Sequence, residues 1–113
     1  MDIHTQRNNG TLIVKVESRR IDSSNARSFH ANLEDAIQDD DTGLVLNFSN
    51  VSYISSAGMR VILSVLKVLQ KKEAKFAICD MKDSVREVFN ISGFDKIVNI
   101  RDSQDDALTV CAA

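Results

Sequence analysis

Two adjacent serines, Ser55 and Ser56, are the residues of this chain whose type and position could do chemistry. They open the sequence Ser-Ser-Ala-Gly at 55–58, just before a long apolar segment that begins at Met59. Hydroxyls and free backbone N–H groups at the positive end of a helix suit the binding or attachment of an oxyanion. Serine is also a preferred N-cap, worth about 1 kcal/mol. The serine pair therefore predicts either a site where an oxyanion is bound or attached, or a structural N-cap of the helix.

Enzyme classes that use such a junction require partners that this sequence lacks. A serine hydrolase of the strand–turn–helix type needs Gly-x-Ser-x-Gly and a histidine downstream, but His4 and His30 both lie upstream of Ser56. No Gly-x-x-x-x-Gly-Lys-Ser/Thr phosphate loop is present. A phospho-accepting receiver domain needs an acidic pair after its first strand, and residues 14–17 supply none. We therefore expect no catalytic site and no enzyme.

The cysteines and histidines predict neither a metal site nor a cofactor site. Cys79 and Cys111 have no paired spacing, and neither histidine stands near a cysteine or in an HxxxH arrangement. Both cysteines are expected to be free thiols on buried elements.

Composition excludes several other classes of function. The 113 residues suit one domain over 1–113, and 14 basic against 16 acidic residues leave a net charge of −2. That balance gives no electrostatic basis for binding nucleic acid or anionic lipid. No apolar run approaches the roughly 20 residues of a membrane helix, and the N-terminus does not resemble a signal peptide. We expect a cytoplasmic protein.

Hydrophobic periodicity predicts the elements that position the serines. Strands are predicted at 11–16, 43–48, 74–79 and 97–100, with 3–6 as a short hairpin partner, and helices at about 24–38, 56–72, 83–92 and 103–111. Strands that alternate with helices indicate an α/β fold with a mostly parallel sheet and an antiparallel edge strand. The acidic run at 39–41 is expected to be a solvated loop.

The sequence around this junction resembles the STAS domain, the fold shared by sulfate transporters and anti-sigma-factor antagonists. The resemblance covers roughly residues 10–108 and is carried by Ile-Asp-Ser-Ser-Asn-Ala at 21–26, by 44–59 across the junction, and by 85–94. It implies an STAS-like α/β fold, and the chain's length is similar to that of the free-standing bacterial antagonist.

The resemblance also implies a function in partner switching. Such an antagonist, when unphosphorylated, captures a GHKL-type serine kinase that is also an anti-sigma factor. Phosphorylation of one serine releases the kinase, and a PP2C-type phosphatase restores binding. The alternative is an STAS scaffold subunit of a larger signalling or transport complex, without any phosphate cycle.

The family pattern transfers to this chain residue by residue, with two departures. The usual acceptor position holds Ala57, and the usual aspartate is Ser55. The resemblance therefore implies Ser56 as the phosphorylation site, with Ser55 as the alternative. Asn47 stands where many relatives carry aspartate and receives no role. The residues expected at the partner surface are Asp22, Ser55, Ser56, Ala57, Gly58, Met59 and Arg60.

Overall fold

The computed structural model describes residues 2–112, in which strands and helices alternate along most of the chain. The strands are β1 (Ile3–Asn8), β2 (Thr11–Val16), β3 (Arg20–Ile21), β4 (Gly43–Asn47), β5 (Tyr53–Ile54), β6 (Lys75–Cys79) and β7 (Asn99–Arg101). The helices are α1 (Ala26–Ala36), α2 (Ser56–Lys71), α3 (Asp83–Ser92) and α4 (Gln104–Ala112), with a 3₁₀ turn at Phe94–Lys96. Within residues 2–112, no helix has the length and hydrophobicity needed to cross a bilayer.

Five strands form one sheet in the order β1-β2-β4-β6-β7, and all but β1 run parallel. β1 lies at the edge and pairs antiparallel with β2. The turn between them contains Asn9 and Gly10, whose φ angles of 52° and 88° are the left-handed values that an Asn-Gly hairpin turn requires. The predicted α/β fold, with its mostly parallel sheet and antiparallel edge strand, is confirmed.

The sheet buries both of its faces, but unequally. Helices α1, α2 and α3 cover one face, over a large core that contains the fully buried rings of Phe29, Phe48 and Phe89. On the opposite face the described chain places α4, whose Ala107 and Cys111 pack on a smaller cluster. That cluster also contains Ile13, Val45, Ala77 and Cys79.

Strands β3 and β5 form a second, two-stranded sheet that is separate from the main one and was not predicted from the sequence. β3 and β5 pair in parallel, with Arg20 opposite Tyr53 and Ile21 opposite Ile54. The helix that begins at Ser56 therefore follows a strand of this small sheet. The predicted strand at 43–48 therefore does not lead directly into this helix, because β4 ends at Asn47 and five residues separate it from β5.

Two predicted boundaries move for local reasons. α1 begins at Ala26, because the N–H groups of Asn25 and Ala26 both donate to the Asp22 carbonyl and form a turn before the helix. β7 begins at Asn99, because the 3₁₀ turn after α3 holds Ile97, whose N–H donates to the Phe94 carbonyl at 3.0 Å.

The acidic run at 39–41 is more than a solvated loop. The Asp41 side chain is only 3% exposed, and its carboxylate accepts bonds of 2.8 and 3.0 Å from the Arg7 guanidinium. It also accepts the Gln38 N–H at 2.7 Å. The expectation is therefore wrong for Asp41, although Asp39 and Asp40 are exposed. This ion pair joins β1 to the loop that connects α1 with β4.

Candidate functional site

The small sheet brings the Asp22 region beside the serine pair. Ile21 and Ile54 are register partners, and the Ser55 N–H donates to the Ile21 carbonyl at 2.8 Å. Asp22 and Ser55 are therefore the next residues along two adjacent parallel strands. Because both strands run the same way, the chain enters α1 and α2 at the same end of this small sheet.

Ser55 and Ser56 occupy different structural positions although they are neighbours in sequence. Ser55 is the N-cap of α2: its backbone is extended (φ −92°, ψ 175°) and its Oγ accepts the Gly58 N–H at 3.4 Å. Ser56 is the first helical residue and is exposed. Its hydroxyl makes no hydrogen bond to another residue of the described chain. The capping role thus falls on Ser55, and the Ser56 hydroxyl is open to solvent.

The other residues of the junction divide between core and surface. Gly58 and Met59 are buried, Met59 with 6% exposure, whereas Ala57 is half-buried and Arg60 is exposed. Close packing requires glycine at position 58, because a Cβ there would lie 2.7 Å from Ile54 Cγ1 and 2.8 Å from Ile21 Cγ2. Gly58 therefore positions α2 on the small sheet, and both Gly58 and Met59 offer a partner little surface.

Asp22 places a fixed negative charge next to this junction. Its Oδ1 accepts the backbone N–H of Ser24 at 3.0 Å and also the Ser24 hydroxyl, and its Oδ2 lies 3.5 Å from Arg20 Nε. The bonds from Ser24, assisted by Arg20, hold the pKa of the Asp22 carboxyl below its ordinary value. The carboxylate is therefore ionised at neutral pH.

Two side chains complete the surface around Asp22. The Arg20 guanidinium stacks on the Tyr53 ring, with its central carbon 4.2 Å from the ring centroid. Asn25 accepts the Asp22 N–H at 2.9 Å and donates to the Arg20 carbonyl at 2.8 Å. Asn25 thus braces the turn before α1, although it makes no side-chain cap on that helix.

The described residues contain no group of three or more His, Cys, Asp or Glu side chains that could hold a metal ion. Cys79 and Cys111 are buried free thiols. Burial, with Asp80 as a smaller cause, raises the pKa of the Cys79 thiol to about 12. The chemistry available at the site is therefore that of an exposed hydroxyl, a carboxylate and arginines.

Asn47, for which the sequence predicted no role, has a structural one. Its Nδ2 donates to Gln104 Oε1 at 3.0 Å and to Asp80 Oδ2 at 3.3 Å, while its Oδ1 accepts the Ser49 N–H at 2.9 Å. This buried amide links the ends of β4 and β6 to the start of α4. A polar residue at the end of an otherwise apolar strand was the available signal.

Comparison with known proteins identifies the family. The sequence profile of the STAS domain matches residues 2–107, and the chain belongs to that family. An anti-sigma F factor antagonist from Paenibacillus polymyxa is 30% identical over 110 residues, which are 96% of this chain and 93% of that protein. BtrV of Bordetella bronchiseptica, also named as an anti-sigma factor antagonist, is 38% identical over 87 residues, 77% of this chain and 75% of its own length.

Solved structures show the same fold. An anti-sigma factor antagonist from Mycobacterium paratuberculosis superposes with a TM-score of 0.88 at 22% identity, covering 99% of this chain and 94% of that one. The phosphorylated form of the Bacillus cell fate determinant SpoIIAA gives a TM-score of 0.71 at 18% identity, covering 96% and 97%. The predicted STAS-like fold and the resemblance to anti-sigma factor antagonists are confirmed.

Proposed function

We propose that this protein is an anti-sigma factor antagonist of a partner-switching pathway, a cytoplasmic binding module and not an enzyme. In its unphosphorylated form it binds a GHKL-type serine kinase that is also an anti-sigma factor. Phosphorylation of Ser56 releases the kinase, and a PP2C-type phosphatase reverses the modification. The antagonist class is supported by the relatives' names, and a phosphate cycle is supported by the existence of a phosphorylated form of SpoIIAA, a protein of the same fold.

The observation that carries the assignment to Ser56 is the division of roles within the serine pair. Ser55 caps α2 and its oxygen accepts a helix N–H, whereas the Ser56 hydroxyl is exposed and unbonded within residues 2–112. A phosphate on the first helical residue lies at the positive end of the helix, where an anion is favourable. The folded protein therefore accepts the modification without loss of a cap.

We expect the phosphate to reduce the binding free energy of the complex with the partner and to leave the stability of the free protein unchanged. A phosphoserine at position 56 adds about −1.5 to −2 charges and three acceptor oxygens to this exposed helix start. Docking would require this dianion to be desolvated. A loss of about 3 kcal/mol weakens binding roughly a hundredfold, which is enough to reverse the choice between competing partners.

The test is phosphorylation by the GHKL-type kinase of the same genome, followed by mapping of the phosphate by mass spectrometry. We expect modification at Ser56 in the wild type and in Ser55→Ala, and none in Ser56→Ala. Ser56→Ala should stay bound to the kinase with ATP present, whereas Ser56→Asp should bind it weakly while melting at the wild-type temperature. Phosphate on Ser55, or none with a kinase that binds, overturns the assignment.

A second candidate function is an STAS scaffold subunit without a phosphate cycle. Ala57, which stands at the usual acceptor position and cannot be phosphorylated, favours it. Genes for a kinase and a phosphatase beside this one would support switching, and transporter genes there would support the scaffold.

A further inference from the structure

Two exposed arginines, Arg27 and Arg60, lie close to the beginnings of the helices that meet at the candidate site. Arg27 is the second residue of α1, and Arg60 is the fifth residue of α2. Neither forms an ion pair with any residue between 2 and 112. Their charges are therefore available to a partner.

The fold puts both arginines on the same end of the molecule. β3 and β5 are parallel, so α1 and α2 start at one end of the small sheet, and the two helices pack against each other. At the opposite end, Lys72 Nζ, just after α2, donates to the carbonyl of Gln38, just after α1. The helices therefore run side by side in the same direction, with Arg27 and Arg60 near their N-termini.

The first turns of the helices that carry these arginines contribute no negative charge. Neither α1 nor α2 has an acidic residue in its first turn, and α2 carries none along its length. Asp22 is already paired with Arg20, and Glu34, in the last turn of α1, pairs with His30. The whole chain has a net charge of −2. Within residues 2–112, Arg27 and Arg60 are thus unpaired positive charges close to the helix starts beside Ser56.

We propose that Arg27 and Arg60 form a docking surface for an acidic surface patch on the protein partner, and that phosphate on Ser56 weakens docking by masking Arg60. This inference rests on the proposed function and names the chemistry of its partner. Charge complementarity of this kind steers association and selects partners. Two arginines on a chain of net negative charge suit a protein patch, whereas a nucleic acid requires many phosphate contacts.

Masking follows from the helical spacing of Ser56 and Arg60. Both are exposed, and residues four apart lie on the same face of a helix with Cβ atoms about 5–6 Å apart. A phosphoserine at 56 can accept charge-assisted hydrogen bonds from the Arg60 guanidinium. The arginine that would meet the partner's carboxylates would then face a phosphate of its own chain.

The experiment measures the dissociation constant for the GHKL-type kinase by calorimetry at low and high salt. At about 50 mM KCl, Arg27→Glu and Arg60→Glu should each weaken binding about tenfold, and the loss should shrink to under about threefold at 300 mM, where charges are screened. The matched control is Arg101→Glu. Arg101 is exposed on β7 and is the register partner of Cys79 on β6, whose side chain faces the α4 side of the sheet. Because Arg101 lies away from the starts of α1 and α2, this variant should bind the kinase like the wild type.

A second comparison tests masking. Ser56→Asp should weaken binding by a smaller factor in an Arg60→Met background than in the wild type, because the cation to be masked is gone. Equal factors in the two backgrounds overturn the masking step. Circular dichroism of each variant checks that the fold is retained.

The outcomes separate this inference from the proposed function. If the wild type binds the kinase and Arg27→Glu and Arg60→Glu bind it with the same dissociation constant, the inference is overturned and the proposed function stands. No kinase binding by the wild type overturns both. The same variants are also tested for binding to an RNA duplex. If the substitutions reduce the affinity for RNA more than the affinity for the kinase, the choice of an acidic protein as partner is overturned.

Discussion

At the scale of single residues, two neighbouring serines have separate tasks because the helix starts between them. Ser55 has an extended backbone and caps the helix, and Ser56 is already helical and exposes its hydroxyl. The sequence predicted a serine pair at a helix start. It could not decide which serine caps, because the answer depends on the residue at which the backbone changes from extended to helical.

Gly58→Ala should destabilise the protein even though alanine is the better helix former by about 1 kcal/mol. The added Cβ would lie 2.7 Å from Ile54 and 2.8 Å from Ile21, both buried and β-branched, which leaves little room for adjustment. We expect a net loss of about 1–3 kcal/mol in the free energy of unfolding, measured with urea.

Ser64→Ala in the same helix is the control for Gly58→Ala, and it should change stability by no more than about 0.5 kcal/mol. A Gly58→Ala variant as stable as the wild type would show that α2 can move away from the small sheet without cost.

At the scale of elements, the sequence predicted the main sheet and missed the small one for the same physical reason. Strands such as β4 are runs of five buried residues, and such runs carry a strong hydrophobic signal. β3 and β5 have two residues each, with one side chain buried and one exposed. Their pairing depends on tertiary contacts such as those of Gly58 with Ile21 and Ile54, which no local pattern reveals.

The Asp41 carboxylate should make stability depend on pH. The hydrogen bonds from Arg7 are the main cause of its lowered pKa, followed among the lowering contributions by the Gln38 N–H. Because the pKa of Asp41 is lower in the folded chain, its contribution is present above the ordinary value of about 4 and is lost as pH falls through the folded value. At pH 7, Asp41→Asn should lower the free energy of unfolding by about 1–2 kcal/mol.

The measurement for Asp41→Asn is urea unfolding of the variant and the wild type from pH 7 down to about pH 3. The gap between the two proteins should narrow below about pH 4. Asp39→Asn, which changes an exposed neighbour, should follow the wild type throughout. A gap that is the same at both ends of the range contradicts the ionic role of Asp41.

At the scale of the whole molecule, the two faces of the sheet are protected to different degrees. The larger core lies beneath three helices, whereas α4 packs on the opposite face through Ala107 and Cys111. The fit there is close, since a Cβ on Gly43 would lie 2.9 Å from the Cys111 Cβ. Both cysteines belong to this second cluster, so thiol chemistry reports on the docking of α4.

Both thiols should resist labelling by Ellman's reagent at pH 8 in the native protein. Cys79 is 0% exposed and Cys111 is 5% exposed, and burial is the main cause of the raised pKa of each thiol. Thiolate, the reactive form, is therefore scarce as well as shielded. We expect labelling at least about a hundredfold slower than in urea, with the native rate set by the opening of α4.

Labelling of both cysteines at the rate of a free thiol would contradict this packing. Labelling of Cys111 before Cys79 would be consistent with it, because Cys111 moves with α4 while Cys79 stays on β6.

The small β3–β5 sheet has a consequence for lineages in which such genes are duplicated. The exposed side chains around Ser56 stand on two-residue strands and helix beginnings, outside the five-stranded sheet. Substitutions among them leave the hydrophobic interior untouched. Paralogues can therefore diverge in the side chains that they expose there while keeping the same folded core.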